Sequence, residues 1–192
     1  MPSEDDQPDL LSEISNLDLV RHLLADLHDD LPGKITRFRQ LVDLSDGGGS
    51  AGTMFYGGET TIEAWREARW SFINGNFIAT VLLCQGLAEH LFGSFLHAAQ
   101  LIDDLPRIPF AETLKRCREL NLIQERDAAD LHHLMNLRNP LSHFRTLDDP
   151  ANLSRRVMST IEPAVEHLRR DASFAIGLVA RILALPAFSP GI

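Results

Sequence analysis

Six residues late in the chain, Arg138-Asn139-Pro140-Leu141-Ser142-His143, set a fixed cation, an amide and an imidazole close together. Histidine is the side chain whose unperturbed pKa, about 6.5, lets it give and take protons near neutrality. Arginine presents a permanently charged fork that matches phosphate oxygens and meets the negative charge growing on them in a transition state. Asparagine can orient either the arginine or the phosphate. The chemistry this trio suits is transfer at phosphate: His143 would take the proton from an RNA 2′-hydroxyl, or give one to the leaving 5′-oxygen. The 2′-hydroxyl is an internal nucleophile already close to phosphorus, so the reaction calls for no metal and no cofactor. Arg145, just beyond the six, offers a further phosphate contact.

On an ideal helix Arg138 and His143 would stand about 140° apart, too far round to face one small ligand. Pro140 changes that expectation. It removes a backbone donor and clashes with the preceding turn, which predicts a kink or break that lets both side chains reach one pocket. A plainer reading stands beside this one. Arg138 would favour the negative end of a helix dipole, Asn139-Pro140 would make a turn, and His143 would cap it.

The other candidate groups point less clearly to chemistry. His132 and His133 are adjacent and face different sides of their helix, and Asp130 with His133 reads as a surface pair before a metal site. His90 and His97, two turns apart, read as packed or partly exposed. Glu89, an acid on a mostly apolar helix, is a candidate hydrogen-bond partner for Arg138, or else solvated. Trp65 and Trp70 read as core or interface anchors. Cys84 and Cys117 form no CxxC pair and read as small core residues in a reducing compartment.

The elements that must position these residues are helical throughout, for the helical period dominates and no strand-like alternation is sustained. Leu17 to Leu31 carries one apolar stripe, which Pro32-Gly33 should stop; a shorter stretch, about Lys34 to Leu44, follows. The run Asp46-Gly47-Gly48-Gly49-Ser50-Ala51-Gly52 reads as a linker. It lacks the Lys and Ser/Thr that a phosphate loop needs after its last glycine. Helices are then predicted over Thr60–Ile73, Phe77–Ile102, Ala111–Leu120 and Gln124–Leu137. A last one lies within Arg155–Leu185, with Pro163 in an early turn or at a kink. The Phe77 helix is apolar around most of its circumference, which marks a central element. Its Gly86 and Gly93 share a face where another helix backbone could approach closely. The sum is an all-α antiparallel bundle of about four long helices. Residues 1–46 form an acidic helical extension, 47–59 a Gly-rich linker or loop, and 60–192 the bundle.

With these elements in place, the motif resembles the Rx4–6H motif of HEPN domains, in the form with a polar residue directly after the arginine. The segment FIATVLLCQGLAEHLF (77–92) is similar to that family's long helix with its Ala/Leu-rich face and internal Glu. LKRCRELNLIQERDAADLHHLMNLRNPLSHF (114–144) is similar to the short helix, turn and helix that lead into the motif. The likeness covers about Thr60 to Leu185. It implies a metal-independent endoribonuclease of toxin or defence type, with Arg138 and His143 as the catalytic pair and Asn139 in support. It also implies a homodimer whose two motifs face one another across a shared cleft, RNA (tRNA among the candidates) as substrate, and an antitoxin or defence-system protein as partner. The family equally contains non-catalytic interaction and dimerisation modules, which is the alternative.

Composition sets the outer bounds. The 192 residues suffice for one domain with a substantial core. No basic start followed by an apolar stretch suggests secretion, and no apolar run reaches the length of a membrane span, so the expected location is cytoplasmic. The net charge of −9 runs against a general nucleic-acid binder. Its distribution tempers this: residues 1–31 hold nine acids and one base, whereas residues 107–156 hold nine bases and seven acids. The only basic stretch surrounds the motif, which suits a restricted RNA site with few phosphate contacts.

Overall fold

A computed structural model describes residues 17–26, 30–46, 53–102 and 108–189. Within them the chain is helical, without strands: α1 (Leu17–Asp26), α2 (Leu31–Asp46), α3 (Gly58–Ile73), α4 (Phe77–Ala98), α5 (Phe110–Glu119), α6 (Glu125–Ser142), α7 (Leu153–Thr160) and α8 (Ala164–Leu183). The glycine run, the acidic first residues and the side chains of Leu19, Leu23, Leu24 and Leu27 lie outside the described residues.

The centre is α4, which packs against α3, α5, α6 and α8. Val81, Cys84, Leu87, Ala88, Leu91, Phe92 and Leu96 are wholly buried along it. Each such leucine or phenylalanine side chain contributes on the order of 1.5–3 kcal/mol by leaving water. In length and apolarity α4 would suffice to cross a membrane, contrary to the sequence expectation that no run would. Half of its most apolar stretch is buried against its neighbours, the condition of a core helix. Asn74-Gly75-Asn76 turns the chain from α3 into α4, with Gly75 at φ +78°, a conformation glycine takes without a Cβ penalty. A second turn with positive φ, at Asn121, separates α5 from α6.

Pro32-Gly33 does not end a helix; it lies in the first turn of α2. A missing N–H costs nothing there, because the first turn has no intrahelical acceptors for its donors. The chain then winds through Arg37, whose Nε donates to the Ile73 carbonyl at 2.9 Å. The Arg37 guanidinium pairs with Asp30 and lies 5.6 Å from the centre of the Phe77 ring. With Leu41 buried and Leu44 against the core, α2 is docked on α3 and α8.

The single last helix expected over Arg155–Leu185 is two. Asn152 caps α7 by accepting from the Ser154 N–H at 2.8 Å, and α7 stops at Ile161, φ +60°. Pro163 forces the separation, since it has no N–H to continue the ladder and drives the residue before it out of helical conformation. Arg156 on α7 then grips Asp171 on α8 through two hydrogen bonds, 2.6 and 3.0 Å. Beyond α8, Phe188 is fully buried, its ring edge-on to those of Tyr56, Phe92 and Phe95.

Cys84 and Cys117 are free and buried. Burial pushes the Cys117 thiol up to about 12 and that of Cys84 higher still, because a thiolate there would be stripped of water. Neither is expected to react with a chromogenic disulfide reagent at pH 8 in the native protein. Both should react at once in denaturant, and fast native labelling would contradict the burial.

Candidate functional site

The motif occupies the C-terminal end of α6. Gln124 starts this helix with a reciprocal capping box, in which its own N–H donates to Asp127 at 3.2 Å. Asp127 also accepts from Arg181 Nε at 3.2 Å, and the Arg181 guanidinium reaches Asp130 as well. This end of α6 is thereby fixed to α8. Leu131 and Leu134, fully buried, carry the attachment onward, and the motif is held out at the far end.

Pro140 does not break the helix. α6 continues through it to Ser142, giving up only the bond that the Asn136 carbonyl would receive from residue 140. The break comes at His143, whose backbone is extended at φ −130°, ψ 140°. Its N–H still donates to the Asn139 carbonyl at 3.0 Å, and the Ser142 hydroxyl donates to the Arg138 carbonyl at 3.2 Å. Leaving the helical path at this residue swings the imidazole back along the helix. Arg138 Nη1 and His143 Nε2 are 3.3 Å apart. A guanidinium can only donate, so Nε2 is the accepting nitrogen and the ring proton of neutral His143 belongs on Nδ1. Asn139 Oδ1 lies 3.5 Å from the same Nη1, at the outer limit of a hydrogen bond.

Arg138 differs from most of the basic residues around it. Arg116, Arg118, Arg126 and Arg156 are each paired to a carboxylate. Arg145 faces Asp149 at 3.7 Å on the loop beyond His143 and does not line the groove described next. Arg138 has no carboxylate within 4 Å among the described residues. Among the described residues its charge is met by the side chains of a neutral amide and an imidazole.

This guanidinium opens onto a groove of about 690 Å³. The second wall is one face of α4: Gln85, Gly86, Glu89, His90 and Gly93, with His97 further along. Among the described residues a Cβ at Gly86 or Gly93 would meet nothing within 4 Å, so none of the described helices makes the close approach expected there. The two positions instead leave the floor of the groove bare. Gly86→Ala and Gly93→Ala should therefore each stabilise α4, by roughly 0.5–1 kcal/mol, through helix propensity alone. Urea denaturation would register this as a higher midpoint, and a lower one would reveal a backbone contact at that site.

Glu89 accepts from the buried Gln85 amide at 3.0 Å and is not in ion-pair contact with Arg138. His90 is exposed to the groove, and neither a hydrogen bond nor an ion pair engages it among the described residues. The sequence pattern offered a sign of this wall, since residues 85, 86, 89, 90, 93 and 97 form the one polar and small stripe on an apolar helix.

The remaining candidates are placed elsewhere. His132 and His133 are exposed on α6, His133 with its ring edge-on to Phe174 at 4.8 Å, and Asp130 is taken by Arg181. Trp65 is half-buried against the core with Arg69 over its ring, but Trp70 is 67% exposed and stands outside the core formed by the described residues. Among the described residues no three His, Cys, Asp or Glu side chains gather in a metal-ligating cluster. No family model, curated protein or solved structure matches this chain.

Proposed function

We propose that this protein is a metal-independent endoribonuclease of toxin or defence type, with a HEPN-like site at the end of α6. The observation that supports this reading most is the Arg138–His143 contact beside an open groove, with the guanidinium unpaired to any carboxylate among the described residues. Arg138 would hold the scissile phosphate and spread its developing charge, and Asn139 would keep the guanidinium turned towards it. Once the phosphate draws the Arg138 guanidinium onto itself, His143 Nε2 would be released to remove the 2′-hydroxyl proton. The O2′–P bond forms, the P–O5′ bond breaks, and the products are a 2′,3′-cyclic phosphate and a 5′-hydroxyl. Arg145, opposite Asp149 and outside the groove, would reach only a phosphate flanking the cleaved one. The working assembly in this reading is a homodimer in the cytoplasm, held in check by an antitoxin or defence-system protein.

A second reading also has its observation. The bare glycine face of α4 and the 90% exposed Phe144 beside the motif suit a non-catalytic interaction or dimerisation module. One incubation separates the two. Purified wild type and His143→Ala are mixed with total tRNA and a mixed RNA pool in EDTA, and the fragments and their 3′ ends are identified. Cyclic-phosphate ends from wild type alone support the nuclease. Intact RNA from both folded proteins would favour the interaction module.

A further inference from the structure

Cleavage by a 2′-hydroxyl moves two protons: one leaves O2′ and one must reach O5′. His143 supplies a group for one of these transfers, and the charged fork of Arg138 cannot give up a proton at neutral pH. The groove contains a second imidazole suited to the other transfer. His90 projects from α4 into the same cavity that Arg138 lines, at the middle of the bare stretch between Gly86 and Gly93. It is unengaged among the described residues, whereas His97 on the same face already has a partner and Glu89 is occupied by Gln85. An imidazole at mid-helix, exposed within the polar stripe of an element whose other faces are packed, lies outside the core packing of α4. The two flanking glycines leave a nucleotide room to reach it.

We propose that His90 is the second catalytic residue of this site, the general acid that protonates the leaving 5′-oxygen. This rests on the ribonuclease reading above. The phosphate would be held at Arg138 between two walls, with His143 on the O2′ side and His90 on the O5′ side. His143 accepts a proton as O2′ bonds to phosphorus, and His90 gives one as the P–O5′ bond breaks. The two imidazoles exchange protonation states, and proton exchange with water resets them.

The test uses the full chain and a short RNA with one sulfur in place of the bridging 5′-oxygen at a linkage that wild type cleaves. A thiolate leaves without being protonated, so a variant lacking only the general acid recovers on this substrate. His90→Ala is expected to cleave ordinary RNA at least ~100-fold more slowly, and to come within a few-fold of wild type on the sulfur substrate. His143→Ala should stay slow on both, and His132→Ala, which changes a histidine outside the groove, should match wild type on both. Equal loss for His90→Ala on the two substrates, or no loss on either, would overturn the assignment while leaving the nuclease in place. Silence of the wild type on all RNA would remove the ribonuclease reading and this one with it.

Discussion

Replacing His143 by alanine is expected to slow RNA cleavage by about 10²- to 10⁴-fold, the usual contribution of a positioned proton-transfer group. The ring is exposed and its hydrogen bond is to Arg138. Stability should therefore change by no more than ~0.5 kcal/mol, as at an ordinary surface position. Arg138→Ala should lose about 10²- to 10³-fold, through the charge that it no longer offers to the phosphate. Arg138→Lys should recover little of this, because an ammonium is a point charge without the planar fork. Single-turnover cleavage measured beside circular dichroism would check all three variants. A His143→Ala protein that still cuts at the wild-type rate would remove the imidazole from the mechanism, and an unfolded one would show the motif to be structural.

Phe188→Ala should produce the largest loss of stability, about 3–5 kcal/mol, as for other fully buried aromatic residues cut back to a methyl group. The position is distant from α4 in sequence, yet its ring is enclosed by Tyr56, Phe92 and Phe95, two of them on α4 itself. Its carbonyl accepts from the Met54 N–H at 2.7 Å, so the segment before α3 and the segment after α8 close over one aromatic cluster. Thermal melting should fall by roughly 10 °C or more in a chain of this size. A fall of only a degree or two would mean that the residues beyond α8 leave the core without consequence.

Much of this fold is legible from periodicity. The helix types, the central place of α4 and the turn at Asn74-Gly75-Asn76 follow from which residues are apolar and at what spacing. Proline was the less transparent signal, because its effect depends on where in a helix it falls. Pro32 sits in a first turn, where its missing donor is harmless. Pro163 separates two helices. Pro140 is absorbed near a helix end, where a single lost bond is tolerated. Of the candidate site, Arg138, Asn139 and His143 are brought together by local chain geometry, and local sequence announces them. The α4 wall is different. His90 comes from an element about fifty residues away, and no local rule joins it to Arg138. What the sequence did carry was a polar stripe on a helix otherwise suited to a core, a pattern that has meaning only once the neighbours of α4 are known. Half-buried polar clasps such as Asp127–Arg181 and Asp171–Arg156 are likewise invisible in one dimension, since each depends on the register of two packed helices.

The place where α6 ends bears on how far the motif tolerates insertion and deletion. Inside a helix, moving His143 by one residue would rotate it by about 100° and carry it off the Arg138 side. At the C-cap the backbone is already extended, where each added residue advances the chain by about 3.3 Å and turns the side chain to the opposite face. An imidazole moved out by one position would point away from the guanidinium, as Phe144 points into solvent, and one moved in would lie on the helix itself. The arginine is built into the helix and lines the groove beside α4. The pairing therefore depends on α6 ending where it does, with His143 as the first residue off the helical path.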